Sequence, residues 1–303
     1  MLKHEGNRIG DAWFYVHDEI VHCYYLTCPE EIPAHVQWDI GHATSRNLVD
    51  WEVHDLALRR GEKGTWDDGL ATGSILERQG RFWMAYTGHH TQQVGLAVSD
   101  DLYTWEKQPQ NPVTAIDERF YEAVGSGERK QPHWRDPFLF EHEGCVYHWV
   151  CASRNDGPEC ARAAFGLARS RDMVDWEVLP PPKTDRFAQE FECPQLYEKD
   201  GLWYAVFSSG PKWFSVDYLY RIGGPKPHFM TYSLVSPSPM GPFTIHGTGQ
   251  ILPTTSERQP YACQLVTLKG KTFLLGTQLD GICDPIPVEF DSDGIHASKE
   301  VPR

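Results

Sequence analysis

A pattern that repeats five times constrains the fold of this chain more than any other feature. Each copy is a pair of short runs rich in apolar, β-branched and aromatic residues, joined by a charged or glycine-containing turn. The copies begin at Ala12, Gly73, Asp136, Cys193 and Cys263. Such runs are typical of β-hairpins, and a single hairpin cannot bury its apolar face alone. The copies must therefore pack against one another.

A second segment follows several of the hairpins. It is a strand of small residues, then a polar turn and a tryptophan, and its three clear copies end at Trp51, Trp105 and Trp176. A degenerate fourth copy has Phe243 in place of the tryptophan. Each full unit supplies about four strands, which predicts an all-β, five-bladed β-propeller with four-stranded antiparallel blades and almost no α-helix. We expect the aromatic residues to pack between blades, with ligand stacking as the alternative.

Composition limits the partners that the chain can bind. At 303 residues it has a formal net charge of −14, which disfavours nucleic acid and anionic membranes because both attract clustered Lys and Arg. An uncharged substrate rich in hydroxyl groups fits better. The sequence has neither a signal-peptide pattern nor an apolar run long enough to span a bilayer, so we predict a soluble, cytoplasmic protein.

The eight cysteines are scattered along the chain without CxxC or zinc-type spacing, and no other cluster has the spacing of metal ligands. We therefore expect buried free thiols, no metal and no cofactor. One long interruption of the repeats, residues 210–228, contains Trp213, Phe214, Tyr218 and Tyr220 beside Lys212 and Arg221. Its composition suits either a sugar-binding subsite or a packed surface loop.

Three carboxylates lie near the start of the first strand in three different copies: Asp11, Asp136 and Glu192. The innermost strands of a propeller line its central channel, so we expect these groups to meet in an acidic funnel at the mouth of that channel. Mutual repulsion and partial desolvation would keep one of them protonated while another stays ionised. Glycoside cleavage requires this arrangement. Glu190 competes with Glu192, since it stands two residues away and is predicted to lie on the same strand face.

Taken together, these segments resemble the five-bladed propeller glycosidases of glycoside hydrolase family 32, with families 68 and 43 as relatives. Trp134-Arg135-Asp136-Pro137 is similar to the Arg-Asp-Pro motif, and Glu192-Cys193-Pro194 is similar to the Glu-Cys motif. Residues 38–51, with Gly41-His42-Ala43, resemble a Trp-Gly-His-Ala stretch. Residues 66–74 resemble a substrate-contacting segment of the second blade, and Tyr261-Ala262 matches a Tyr-Ala pair of the fifth.

The resemblance implies a role for each matched position. Asp11 would be the nucleophile, Glu192 the general acid/base, and Asp136 a stabiliser of the transition state. Arg135 would bind sugar hydroxyls beside Asp136. The remaining substrate contacts that it implies are Trp38, Trp66, Thr72, Ser74 and Tyr261.

The resemblance implies a retaining β-fructofuranosidase or a close relative, acting on a small-molecule or oligosaccharide substrate. Two alternatives remain: an inverting arabinofuranosidase or xylosidase similar to family 43, and a catalytically silent glycan-binding propeller. The chain departs from the family at Asp11, where Ile9-Gly10-Asp11-Ala12-Trp13 replaces Asn-Asp-Pro-Asn-Gly, and at Leu26, where the family places Gln. Family members usually carry a C-terminal β-sandwich, whereas we expect a single propeller domain over residues 1–303 here.

Overall fold

The computed structural model describes residues 1–32, 37–123, 132–210, 213–224, 226, 228–279, 281–292 and 294–298, and these form five sheets arranged as five blades. Blade I contains β1 (Asn7–His17), β2 (Ile20–Pro29), β3 (Asp39–Ser45) and β4 (Glu52–Val53). Blade II contains β5 (Leu70–Arg78), β6 (Arg81–Gly88), β7 (Gln93–Ser99) and β8 (Glu106–Lys107). Blade III contains β9 (Trp134–His142), β10 (Cys145–Ser153), β11 (Ala163–Ser170) and β12 (Trp176–Leu179). Blade IV contains β13 (Glu192–Lys199), β14 (Leu202–Ser209) and β15 (Met230–Ser236). Blade V contains β16 (Tyr261–Leu268), β17 (Lys271–Gln278), β18 (Gly281–Ile282), β19 (Ile286–Asp291) and β20 (Gly294–Ala297).

Strands pair antiparallel with their neighbours in every blade, which confirms the predicted five-bladed propeller. Blade IV has three extended strands, and isolated bridges occupy its fourth position: Tyr232 pairs with Gln250, and Val235 and Thr244 exchange backbone hydrogen bonds of 2.8 and 2.9 Å. This short edge lies beside Phe243, in the copy of the repeat that has lost its tryptophan. The weakest repeat in the sequence therefore forms the least regular blade.

The first strands of the blades form a closed ring. β1 contacts β5, β5 contacts β9, β9 contacts β13, β13 contacts β16, and β16 returns to β1. Outside this ring, Leu2 pairs with Ile282 of β18 through backbone hydrogen bonds of 3.2 and 3.0 Å. The pairing joins blade V to the segment that precedes blade I.

Five clusters of buried apolar side chains lie between neighbouring blades, one at each interface. Trp105 belongs to the cluster between blades I and II, and Trp176 packs on the cluster between blades II and III. Phe243 is fully buried between blades III and IV, and Trp51 packs on the cluster between blades V and I. The predicted inter-blade packing of these aromatic residues is confirmed.

A common turn places the repeated tryptophans. In blades I to III a serine at the end of the third strand accepts a hydrogen bond from the backbone N–H three residues later, at 2.8 to 2.9 Å. The residues that donate this bond have left-handed backbone angles: Leu48 (φ 66°), Leu102 (φ 68°) and Met173 (φ 68°). The indole N–H groups of Trp51 and Trp105 then donate to the carbonyls of Leu48 and Leu102 at 3.2 Å. The polar turn therefore fixes the direction in which each indole packs.

Helical structure is sparse, as predicted. The described residues contain one α-helix, α1 (Val216–Arg221), and one 3₁₀ turn at Glu159–Ala161. All eight cysteines are free and all but Cys160 are buried, which confirms the expectation of buried thiols. Within the described part of the chain, no helix is both long enough and apolar enough to cross a membrane.

Blade I buries two histidines in contact. His22 Nδ1 lies 3.0 Å from His42 Nε2, and the His42 ring stacks on Tyr24 with centroids 4.8 Å apart. Burial, together with neighbouring histidines, lowers the pKa of His22 to about 4 and that of His42 to about 3. Both rings are therefore neutral in the folded protein at neutral pH.

These histidines predict a loss of stability in acid. The unfolded chain binds protons below its histidine pKa of 6.5, whereas the folded chain does not until about pH 3 to 4. Each ring should therefore reduce the free energy of unfolding by about 2 kcal/mol at pH 5 relative to pH 7.5. Urea unfolding at both pH values should show that the free energy of unfolding falls less between pH 7.5 and pH 5 for His42→Phe than for the wild type. The control His296→Phe, at a side chain 43 % exposed, should lose as much as the wild type; equal losses for all three proteins would contradict the account.

Candidate active site

The same irregularity interrupts the first strand of every blade. Between Ile9 and Ala12, Ala71 and Gly73, Arg135 and Phe138, Glu192 and Gln195, and Tyr261 and Gln264, the pairing with the second strand slips. These are β-bulges, which re-aim side chains at the rims of closed sheets. Asp11, Thr72 and Asp136 lie within bulges, and Glu192 and Tyr261 immediately precede theirs. The structure therefore brings five of the predicted site residues to one level of the central channel.

Three of the bulges contain a residue other than glycine with a left-handed backbone. These residues are Asp136 (φ 61°), Cys193 (φ 50°) and Ala262 (φ 52°). This conformation costs on the order of 1 kcal/mol for such residues and is concentrated at functional sites. The backbone at this level of the channel is thus held in a strained geometry by the surrounding blades.

Asp11 comes from blade I and faces blades II and IV. Its Oδ2 lies 3.4 Å from the Thr72 hydroxyl and 3.9 Å from the Cys193 thiol. Burial raises the pKa of Asp11 to about 7, and the charges of Asp136 and Glu192 add to the increase. The carboxyl cluster therefore retains a proton up to near-neutral pH.

Asp136 comes from blade III and is held by backbone groups of its neighbours. Its Oδ2 accepts the N–H of Cys193 at 3.0 Å, and its own N–H donates to the Thr87 hydroxyl at 2.9 Å. Burial raises its pKa, whereas Arg135 and the Cys193 N–H oppose that change. These bonds fix the carboxyl beside the other two.

Glu192 comes from blade IV and has two strong partners. Arg135 Nη2 donates to its Oε1 at 2.7 Å, and the Tyr261 hydroxyl donates to its Oε2 at 2.7 Å. Both oxygens of this buried carboxyl are thus hydrogen-bonded, one to a cation and one to a phenol. The environments of Glu192 and Asp11 differ sharply, since the contacts of Asp11 come from an uncharged hydroxyl and an uncharged thiol.

Ser74 lies on β5, two residues after Thr72. Its hydroxyl accepts the N–H of Leu139 at 2.8 Å and so ties β5 to β9. Gln195 and Gln264 make equivalent ties from blade IV to blade V and from blade V to blade I, at 2.7 and 3.2 Å. A cavity of ≈ 270 Å³ in the channel is lined by Ser74, Phe14, Phe138 and both glutamines, among others. The structure assigns Ser74 an inter-blade bond, and its role as a sugar contact stays a prediction.

The two predicted tryptophans pack against glycines. Trp38 is buried in the cluster between blades I and II, with its ring near Gly10. Trp66 stacks on Tyr86 at 5.6 Å and covers Gly88 and Gly95, where a β-carbon would approach the Trp66 ring to 2.7 and 2.4 Å. The role of both rings in binding a sugar remains a prediction.

The aromatic residues in the long interruption at residues 210–228 fall into two groups. Phe214 and Tyr218 are buried in the core, as a packed loop requires, whereas Tyr220 is 91 % exposed. Trp213 lies edge-on to Phe229, and Phe229 lies edge-on to Tyr261, with centroid distances of 5.3 and 5.2 Å. These rings connect the loop to the residue that holds Glu192. Lys212 lies outside the described residues.

Sequence reasoning missed three groups at this site. Thr87 holds the backbone of Asp136, Cys193 lies between Asp11 and Asp136, and His133 contacts Arg135 at 3.0 Å. Glu190 precedes β13, so the prediction that it shares a strand with Glu192 was wrong, although both carboxyls reach Arg135. Cys193 stood in a recognised motif, and its position there was the available signal. Among the described residues, no group of His, Cys, Asp and Glu is arranged to hold a metal ion.

Comparison with known proteins identifies the family. The sequence model described as Glycosyl hydrolases family 32 N-terminal domain matches residues 12–225. The chain belongs to glycosyl hydrolase family 32. Sucrose-6-phosphate hydrolase of Bacillus subtilis is 29 % identical over 176 residues, which cover 53 % of this chain and 33 % of that protein. Sucrose-6-phosphate hydrolase of Zymomonas mobilis is 30 % identical over 57 % of this chain and 34 % of its own length. The chain thus matches about a third of these family 32 relatives.

Solved structures share the fold. Inulosucrase from Halalkalicoccus jeotgali superposes with a TM-score of 0.73 over 99 % of this chain and 92 % of its own, at 19 % identity. At that identity the likeness supports the propeller architecture of this family 32 chain. The residue roles must be argued from the site itself.

Proposed function

We propose that this family 32 chain is a retaining β-fructofuranosidase that removes a terminal furanosyl unit through a covalent intermediate. The observation that carries the proposal is the convergence of Asp11 and Glu192 at one site. They reach the same level of the channel from two blades, one with neutral contacts and the other bonded to Arg135 and Tyr261. A retaining glycosidase needs two carboxyls at one site, one ionised to attack the sugar and one protonated to release the leaving group. The proton that the carboxyl cluster retains near neutral pH must therefore reside on Glu192, with Asp11 ionised, when the substrate reacts.

In the first step the ionised Asp11 attacks the anomeric carbon of the bound furanosyl unit. The bond from that carbon to the leaving oxygen breaks, and Glu192 transfers its proton to that oxygen. The products are an ester between Asp11 and the sugar and a released alcohol. Asp136, held by Cys193 and Thr87, faces the positive charge that develops on the ring.

In the second step Glu192 takes a proton from water. The resulting hydroxide attacks the anomeric carbon, and the ester bond to Asp11 breaks. Both carboxyls return to their starting protonation states, so one turnover consumes one water. Arg135 and Thr72 would hold sugar hydroxyls near Asp136 and Asp11, respectively.

A substrate panel tests the proposal. We expect the wild type to release fructose from sucrose, sucrose 6-phosphate or short fructans, and to leave arabinofuranosides and xylosides intact. Glu192→Ala measured in parallel should release fructose about 10² to 10⁴-fold more slowly. Release of a pentose would favour a reaction similar to family 43. Sugar binding without turnover across the panel would favour a glycan-binding propeller.

A further inference from the structure

Two buried glutamates share the guanidinium of Arg135. Its Nη2 lies 2.7 Å from Glu192 Oε1 and 3.3 Å from Glu190 Oε2, and both glutamate side chains are 2 % exposed. Glu190 lies just before β13, and the Ser209 hydroxyl fixes its carbonyl with a bond of 3.0 Å. Because Phe191, between the two glutamates, is fully buried in the core, the separation of the glutamates is set by packing.

His133 contacts both Arg135 and Glu190. Its Nδ1 lies 3.0 Å from Arg135 Nη1 and 3.3 Å from Glu190 Oε1, and its side chain is 3 % exposed. A guanidinium only donates hydrogen bonds, so Nδ1 either accepts from Arg135 or carries a hydrogen that it offers to Glu190. In both cases His133 and Glu190 affect how much of the Arg135 charge is left to face Glu192, as does Asp136, whose Oδ2 lies 3.7 Å from Arg135 Nε.

A bare cation beside Glu192 would impede the proposed chemistry. The first step needs Glu192 to carry a proton, whereas a guanidinium at hydrogen-bond distance favours the ionised form. A second carboxylate on the same guanidinium opposes that effect, because like charges raise the pKa of a neighbouring acid. The described ionisable groups around this pair are Arg135, His133, Asp136, Asp11, Cys193, Cys151 and Tyr261.

We propose that Glu190 is a positioning residue that shares Arg135 with Glu192 and thereby lets Glu192 hold its proton at the pH where the enzyme works. This inference rests on the acid/base role proposed for Glu192. Glu190 acts through Arg135, and no contact with the substrate is required of it.

The test is the pH dependence of kcat/KM for sucrose or the best substrate of the panel. Glu190→Gln keeps the shape of the side chain and removes its charge, so the basic limb should move to lower pH by about 1 unit. The matched control is Glu198→Gln, the same substitution at an exposed residue of β13, and its profile should superpose on that of the wild type. Glu190→Asp keeps the charge but moves it away from Arg135, and it should shift the limb in the same direction by less.

Three results would overturn the inference. An unmoved basic limb in Glu190→Gln with a lower kcat would indicate a structural role, and a raised KM alone would indicate a sugar contact. If Glu190→Gln does not fold, an unmoved limb in Glu190→Asp has the same meaning. The proposed function fails separately: if Glu192→Ala retains the wild-type rate and profile, Glu192 is not the acid/base, whatever Glu190→Gln does.

Discussion

Replacing Asp11 by Asn is expected to abolish turnover while making the protein more stable at alkaline pH. The amide cannot form the ester intermediate, so kcat should fall on the order of 10⁴-fold or more. Burial and the neighbouring carboxyls raise the pKa of Asp11 from 3.8 to about 7, so the folded chain holds a proton that the unfolded chain loses. Wild-type stability is therefore lost as pH rises from about 4 to above 7, and Asn avoids that loss.

The stability that Asp11→Asn gains at alkaline pH has an upper limit. A shift from 3.8 to about 7 corresponds to at most about 4 kcal/mol, and we expect about 1 to 2 kcal/mol because the Asp11 side chain keeps some contact with solvent. Thermal unfolding at pH 4 and pH 8 should show the gain at pH 8 alone. Asp18→Asn, in the turn of the same hairpin and 86 % exposed, is the control and should change neither quantity. An active Asp11→Asn protein, or an equal gain at both pH values, would contradict the account.

Replacing Glu192 by Ala should slow hydrolysis of natural substrates by about 10² to 10⁴-fold, the usual contribution of a general acid/base. With an aryl furanoside, whose leaving group needs no proton, the rate of the first step should fall much less. Azide should then accelerate the reaction, since it fits the space left by the side chain and attacks the ester without a general base. Initial rates with both substrates, with and without azide, measure these effects.

The matched control for this variant is Glu198→Ala, on the exposed part of the same strand. Because the change removes one buried hydrogen-bond partner from Arg135 and one from Tyr261, thermal unfolding should accompany the kinetics. An equal rate loss on both substrates with no effect of azide would remove Glu192 from the acid/base role.

The architecture could be predicted from the sequence because each repeat contains the apolar and aromatic residues that pack between blades. A hairpin with apolar runs recurs five times, and the aromatic residue after each polar turn fills the gap to the preceding blade at Trp51, Trp105, Trp176 and Phe243. The irregular edge of blade IV was also visible as a degenerate copy. The outer strands of blade V, β19 and β20, were not foreseen, since no copy of the second segment marks them.

The site was predicted less completely, for a physical reason. Alternation along a strand indicates which side chains share a face, but a bulge breaks that alternation, and all five inner strands are bulged at the level of the site. The convergence of Asp11, Asp136 and Glu192 followed from their places on separate blades. The bonds of Arg135 to Glu190 and Glu192, and the support from Thr87, depend on side chains from different blades, which no local pattern reveals.

The stereochemistry of transfer to methanol tests the central claim most directly. If Asp11 forms a covalent intermediate, a reaction with a β-fructofuranoside in aqueous methanol gives methyl β-fructofuranoside, which does not equilibrate in solution and is identified by NMR. Two inversions at the anomeric carbon restore the starting configuration. Accumulation of the methyl β-fructofuranoside by the wild type, and its absence with Asp11→Asn, is the predicted result. A methyl α-fructofuranoside, or the β product from Asp11→Asn at an undiminished rate, would contradict the role of Asp11 as nucleophile.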